Sequence, residues 1–382
     1  SPIDFCTFMS EIHSTDELVV QVRNRVAFLT LNRPKALNAL SLSMLRKMRQ
    51  LFTDWAAAPN IVAVVSCGAG EKAYCAGGDV RGLYDSITGE GPRVHEEFFI
   101  TEYTLNYQIH RLLKATGKPY IALMDGIVMG GGMGISQGAT FRIVGERTKM
   151  AMPETKIGLF PDVGATYFLS RATDVIGLYL GLTSNVIHGA DAVFAKLADT
   201  YMTTEAQAQL VANLDAMKWS ASPLADIVSL INHLKSVPLV SAIGATNDVI
   251  SRHFADKPSV AAIIQSLHAE TDDQIKPWTN KIADDLLIRS PLLMEVTKRQ
   301  LEQGRTMHLA DALRLELNMM YRAFECPDVV EGIRALVIDK DNRPRWQPPS
   351  LDLVDQKMIA SFFAPRWTHT THPLAALEQQ FG

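Results

Sequence analysis

Cysteine is scarce: 382 residues hold four, Cys6, Cys67, Cys75 and Cys326, and no two of them form a CxxC pair. So few and so scattered, they argue against a disulfide scaffold and against a cysteine-held zinc. Long apolar runs are missing as well. None reaches the roughly 18 residues that span a bilayer, so no membrane association is expected. Residues 1–14 have neither the apolar stretch of a signal peptide nor the arginines of a transit peptide, and Met9 could be the natural start. There is no basic excess: the formal net charge is −4. A nucleic-acid binder would carry a positive balance, so that class of partner is set aside. No short-period repeat and no low-complexity stretch occurs. A reducing compartment fits the free thiols, the bacterial cytoplasm or, for a eukaryotic chain, the mitochondrial matrix.

What is present is ordinary globular material, 47% hydrophobic and 20% charged. The length allows two domains, or one large domain with an appendage. Strand-like runs at 18–22 and 26–31 read as a hairpin. A helix follows Ser41, with Leu42, Leu45, Met48 and Leu51 at helical spacing. The runs 61–66 and 120–124 read as buried parallel strands, and 141–144 and 150–152 as further short ones. Residues 82–100 look like loop, then a helix covers 97–113. After Ala172 the texture turns helical, with helices expected over 206–217, 259–267, 272–288 and 291–303. Asp328 with Glu331 resembles a capping box. The expected division is a tail at 1–14, a core at 15–215 and a helical region at 216–382.

The chemistry concentrates in residues 126–164. The apolar run before Asp125 opens into Gly130-Gly131-Gly132 and Gly134, a strand-to-helix junction. Glycine lets a ligand reach the backbone, and a helix start leaves amides unpaired. Such a junction can hold an oxyanion, or it can be a close helix–strand contact with no ligand. Glu154 and Asp162 each follow a proline, with Ile157, Leu159 and Phe160 between them. A carboxylate against an apolar wall is a candidate for altered proton affinity. Alternatively Glu154 sits in a first helical turn facing water, and Asp162 caps a helix over 163–171. The small-residue loop Glu71–Arg81, after a strand and before a helix expected to begin near Asp79, is a second place where amides could face a ligand. Glu102 lies on a helix whose default is to face solvent. His110, His369 and His372 read as packing or surface residues.

The motifs LNRPKALNAL (31–40), KAYCAGGDVRGLY (72–84) and GIVMGGGMGIS (126–136) resemble the enoyl-CoA hydratase/isomerase, or crotonase, superfamily. AMPETKIGLFPDVGATYFLSR (151–171) and VVEGIRALVIDKDNRPRW (329–346) resemble its 3-hydroxyisobutyryl-CoA hydrolase branch. The resemblance covers roughly residues 15–350. It implies an α/β fold, a crotonase-like spiral of ββα turns with an α-helical C-terminal region. It implies an acyl-CoA substrate, with no cofactor beyond the CoA it carries, and allows a homo-oligomer. The oxyanion donors would be the amides of Gly78 and Gly131. CoA would lie along Gly78, Asp79, Val80, Arg81 and Lys35. Glu154 and Asp162 fall on catalytic positions and Glu102 on an acyl-binding one. Hydratases of this superfamily carry two glutamates; where the first would stand, this chain has Gly134. That departure points away from alkene hydration, and Asp162 with the long helical tail favours thioester hydrolysis. A one-base enoyl-CoA isomerase and a non-catalytic acyl-CoA-binding protein are the alternatives.

Overall fold

The structure, a computed structural model, describes residues 16–238 and 240–382. The expected tail, Cys6 and Met9 lie outside the described residues. The chain opens on a hairpin, β1 (Leu18–Arg23) and β2 (Val26–Leu31). Asn24 and Arg25 turn it at φ 47° and 69°. Two successive positive φ values match the twist of the flanking strands, and asparagine tolerates that region best after glycine. Helix α1 (Leu42–Ala57) starts where the Ser41 side chain accepts the Met44 amide. Its buried Met44, Leu45, Met48, Phe52 and Trp55 face the sheet. Then come β3 (Ala63–Gly68), β4 (Ala73–Cys75), α2 (Val80–Thr88), α3 (His95–Thr116), β5 (Tyr120–Leu123) and β6 (Ile127–Met129). The glycine junction forms the short α4 (Gly131–Gly134), followed by β7 (Phe141–Val144) and β8 (Lys149–Ala151).

Two sheets result. One runs β1-β2-β3-β5-β7-β10, antiparallel only at β1/β2, where β10 is Thr200–Tyr201. The other runs β4-β6-β8-β9, where β9 is Ile187–His188 and only β8/β9 is antiparallel. From β3 to β8 consecutive strands thus alternate between the two sheets, which is the crotonase spiral. Between β8 and β10 lie α5 (Ala165–Phe168), α6 (Ile176–Thr183) and α7 (Gly189–Phe194).

Every later element is helical: α8 (Thr204–Ala216), α9 (Pro223–Leu234), α10 (Ala242–Phe254), α11 (Val260–His268), α12 (Lys276–Leu287), α13 (Pro291–Gly304), α14 (Leu309–Phe324) and α15 (Asp328–Ile333). A π-helical turn over Arg334–Ile338 and two short helices, α16 (Gln356–Ala360) and α17 (Leu377–Phe381), complete the chain. One apolar core runs from Leu18 through Met133 and Phe160 to Leu313 and Leu377, joining the later helices to the spiral, while α8 and α9 pack Leu210, Leu214, Ile227 and Ile231 into a second core with Val26, Phe28 and Val65.

Three expectations need correcting. Residues 82–88 are helix: the Asp79 side chain accepts the Gly82 amide and starts α2 before its glycines can open a loop. The alternative in which Asp162 caps a helix over 163–171 does not hold: only the single turn α5 forms there, and its N-cap is Gly164 at φ 94°. Asp328 and Glu331 form no capping box. Asp328 accepts from Ser290 Oγ (2.7 Å) and the Gln347 amide (2.8 Å), while Glu331 pairs with Arg334.

Candidate active site

Two strand ends bring the glycine loops together. Strand β4 delivers Ala76–Gly78, and a parallel bridge joins Gly78 to Leu40. Leu40 donates to Gly77 O (2.8 Å) and Asp79 donates to Leu40 O (3.1 Å). In a parallel bridge the flanking residues make the bonds, so the Gly78 amide points to the opposite side. Strand β6, paired with β4, delivers Gly130 and Gly131. Gly130 turns at φ 52°, ψ −118°, a conformation that a side chain would oppose. Gly131 is the first residue of α4, so its amide has no partner inside that helix. The loops touch: a methyl on Gly77 would lie 3.7 Å from the Gly131 nitrogen. Both loops line one cavity of about 180 Å³.

Three carboxyl groups line the same cavity, and all are buried: Glu102, Glu154 and Asp162. Glu154 opens a 3-10 turn after Pro153, and neither of its oxygens has a protein partner. Its Oε1 would lie 3.5 Å from a methyl on Gly130. Glu102 comes from α3 and is only 2% exposed, so the solvent-facing default is wrong for it. Its Oε2 is also unpartnered and would lie 2.9 Å from a methyl on Gly131. Asp162 caps no helix; it accepts a 2.6 Å hydrogen bond from the Tyr103 hydroxyl. The remaining wall is largely apolar: Leu83, Phe98, Phe99, Ile157 and Leu159.

This burial decides the electrostatics. A carboxylate loses its hydration here, and no cation compensates it. Burial, then the Asp162 charge, pushes Glu154 well above the ordinary carboxylate range. The same two causes raise Glu102. Burial lifts Asp162 to about 6 against the pull of the Tyr103 bond. The carboxyls of this wall therefore hold their protons more tightly than exposed ones would, and they share the cavity with the Gly78 and Gly131 loops.

Gly78, Asp79 and Val80 line the cavity. Arg81 and Lys35 are exposed and lie outside its lining; Arg81 reaches Val337 O at 3.4 Å. The gap left at Gly134 is filled. A methyl there would stand 2.6 Å from Val163 Cβ and 2.9 Å from Asn106 Nδ2. His110 packs edge-on to Tyr167 and His372 bonds Arg314 O, while His369 is exposed. Among the described residues no cluster of metal-ligating side chains occurs, and no helix is long and apolar enough to cross a membrane. Sequence reasoning missed Tyr103, Asn106 and Glu316, all buried. A usable signal existed for Glu316, which stands among Leu313, Leu317 and Met320 on the apolar stripe of its helix.

Strands alternating between two sheets around a glycine-lined, carboxyl-bearing cavity define an enzyme of the crotonase fold. The chain belongs to the enoyl-CoA hydratase/isomerase family, whose profile matches residues 26–363. It is 39% identical over 341 residues to the mitochondrial 3-hydroxyisobutyryl-CoA hydrolase of Xenopus laevis, covering 88% of this chain and 85% of that protein. It is 37% identical over 363 residues to the rat mitochondrial enzyme of the same name, covering 93% and 90%. Among solved structures it resembles a carnitinyl-CoA dehydratase from Mycobacterium thermoresistibile, with TM-score 0.83 and 35% identity over 92% of this chain and 97% of that one. An enoyl-CoA hydratase from Rhodobacter sphaeroides aligns with TM-score 0.81 and 33% identity over 92% and 98%. The vertebrate relatives are mitochondrial by name, and nothing in these likenesses supports the expected bacterial cytoplasm.

Proposed function

We propose that this chain hydrolyses an acyl-CoA thioester, 3-hydroxyisobutyryl-CoA, to 3-hydroxyisobutyrate and CoA. The observation that carries the reading is the buried Glu154, neither of whose oxygens has a protein partner, in the cavity of the Gly78 and Gly131 loops, while the space beside Gly134, where a hydratase's other glutamate would stand, is filled by Val163 and Asn106. Paired-glutamate hydration has no room for its second carboxylate. The likeness to hydrolases of that name supports the same choice.

In this reading the thioester oxygen lies between the Gly78 and Gly131 amides. They do little for a neutral carbonyl and much for the tetrahedral oxyanion, each contributing roughly 3–4 kcal/mol in a dry site. Glu154 must be ionised. Either it takes a proton from water as the water oxygen bonds to the carbonyl carbon, or its own oxygen attacks to form an anhydride that water then cleaves. In both routes the carbon–sulfur bond breaks and the electron pair leaves on CoA thiolate. A thiolate leaves readily, so the chemistry requires no further cofactor. Asp162 holds the acyl hydroxyl or relays its proton, and Glu102 binds the acyl end. CoA runs along Gly78–Arg81 towards Lys35. A mitochondrial-type reducing compartment suits the free cysteines, and light scattering reads out the homo-oligomer that the family likeness suggests.

One base would also serve an enoyl-CoA isomerase, but isomerisation gives Asp162 no task. The test is release of free thiol from 3-hydroxyisobutyryl-CoA by the purified protein. Glu154→Gln is expected to lower kcat at least about 10³-fold. Unchanged turnover in that variant removes Glu154 from the chemistry. Tight ester binding without turnover in the wild type leaves a binding protein instead. Oxygen-18 from water appearing in the Glu154 carboxylate after one turnover selects the anhydride route.

A further inference from the structure

The turn that carries Asp162 is strained. Val163 stands at φ 54°, buried, and is followed by Gly164 at φ 94°. A β-branched residue in that region is a genuine outlier, and such strain persists only where the surroundings impose it. What imposes it comes from the C-terminal helices. Glu316 on α14 is fully buried, and its two oxygens accept the Gly164 amide (2.8 Å) and the Thr166 amide (3.0 Å). Gln300 on α13, also fully buried, donates to Pro161 O (2.6 Å) and Thr166 Oγ1 (2.8 Å). Residues 161, 164 and 166 are thus gripped from outside, while Tyr103 holds Asp162 from the opposite wall.

We propose that Glu316, seconded by Gln300, is a positioning residue: it holds the strained 161–166 turn so that the Asp162 carboxyl faces the acyl group. The helical region is then a working part of the active site. The inference rests on the hydrolase reading for the role of Asp162. A carboxylate suits this grip because its two oxygens meet two amide donors at once, about 3 Å each, as no amide side chain does. Releasing the grip lets Val163 relax out of the left-handed region and moves Asp162, and a displacement of about 1 Å at a reacting group can lower a rate about 10²-fold.

The experiment is a double-mutant cycle on thiol release, using the full chain. Glu316→Ala is expected to lower kcat about 10²-fold with KM within about threefold of wild type. Combined with Asp162→Asn, it should subtract almost nothing more, because it acts through Asp162. Glu316→Gln keeps one acceptor and is expected to lose only about tenfold, again with no loss beyond that of Asp162→Asn. If the alanine variant does not fold, the glutamine variant carries the test. Wild-type kcat in a folded Glu316 variant overturns the proposal, as does full multiplicative loss on top of Asp162→Asn. Wild-type turnover in Asp162→Asn removes both residues from the reaction. A wild-type protein that releases no thiol sinks the hydrolase reading itself.

Discussion

At the scale of single residues, the Tyr103–Asp162 pair shows how one hydrogen bond sets a working pH. Burial raises Asp162 above the ordinary carboxylate range, and the Tyr103 hydroxyl, at 2.6 Å, with a backbone hydrogen bond opposes it, leaving it at about 6. A bond to an ionised group contributes about 1.5–3 kcal/mol, and one pH unit is about 1.4 kcal/mol. Tyr103→Phe should therefore raise the acid limb of kcat by about one pH unit or more, with activity largely recovered at pH 9. A limb that stays in place takes Asp162 out of the rate-determining protonation state. Gly134 makes the complementary case. Gly134→Glu restores the residue type that a hydratase has there, yet its Cβ would overlap Val163 and Asn106. The expected result is a protein destabilised by at least about 2 kcal/mol and no measurable hydration of an enoyl-CoA. Urea unfolding and an alkene absorbance assay check the two halves separately.

At the scale of elements, strands were easier to read than the helices beside the cavity. The hairpin and the runs leading to β3 and β5 are compact and β-rich, so their pattern is a property of the segment itself. The start of α2 near Asp79 was legible and its length was not, because Gly89, Gly91 and Pro92 gave 82–100 the look of a loop; the helix starts where the Asp79 side chain folds back on the Gly82 amide and runs to Thr88. Glu102 was hidden for a different reason. Helix α3 is buried on many sides, from Phe99 through Tyr107 to Leu112, and a helix sequence does not say that a cavity adjoins Glu102 rather than Glu96 or Glu97. The glycine junction and Glu154 were legible because their chemistry is local: a strand end, missing side chains, a proline. The clamp on Asp162 was not, since Glu316 is more than a hundred residues away. The Asp79 cap yields a test at this scale. Asp79→Ala should cost about 1 kcal/mol of stability. It should also raise KM for the CoA ester more than it lowers kcat, because the freed start of α2 carries the Gly78 loop with it. An unchanged KM would detach the cap from the substrate loop.

At the scale of the whole molecule, function and stability pull against each other through protons. Asp162 is lifted from 3.8 to about 6 and Glu316 from 4.5 to about 8, chiefly by burial, and burial raises Glu102 and Glu154 in the same direction. A group whose pKa is higher folded than unfolded gives its full stability below the unfolded value and loses it as pH rises through the folded one. For Asp162 and Glu316 that window runs from about pH 4 up to about pH 8. Glu270 acts oppositely. Despite its burial, bonds from Arg252 and His253 hold it down to about 2, so its contribution is lost only as the solution turns strongly acid. Stability should therefore peak near pH 5 and fall towards pH 8, where turnover needs Glu154 ionised. Removing one of the trapped protons tests this directly. Glu102→Gln keeps the shape of the side chain and cannot ionise, so it should match wild type at pH 5 and exceed it at pH 8 by on the order of 1 kcal/mol or more. Denaturation midpoints of both proteins at pH 5, 6.5 and 8 decide it. Parallel curves would mean that the buried carboxyls do not set the pH dependence of folding. Converging curves at acid pH would mean that the active site is the main place where this fold gives up stability to keep a glutamate ready to react.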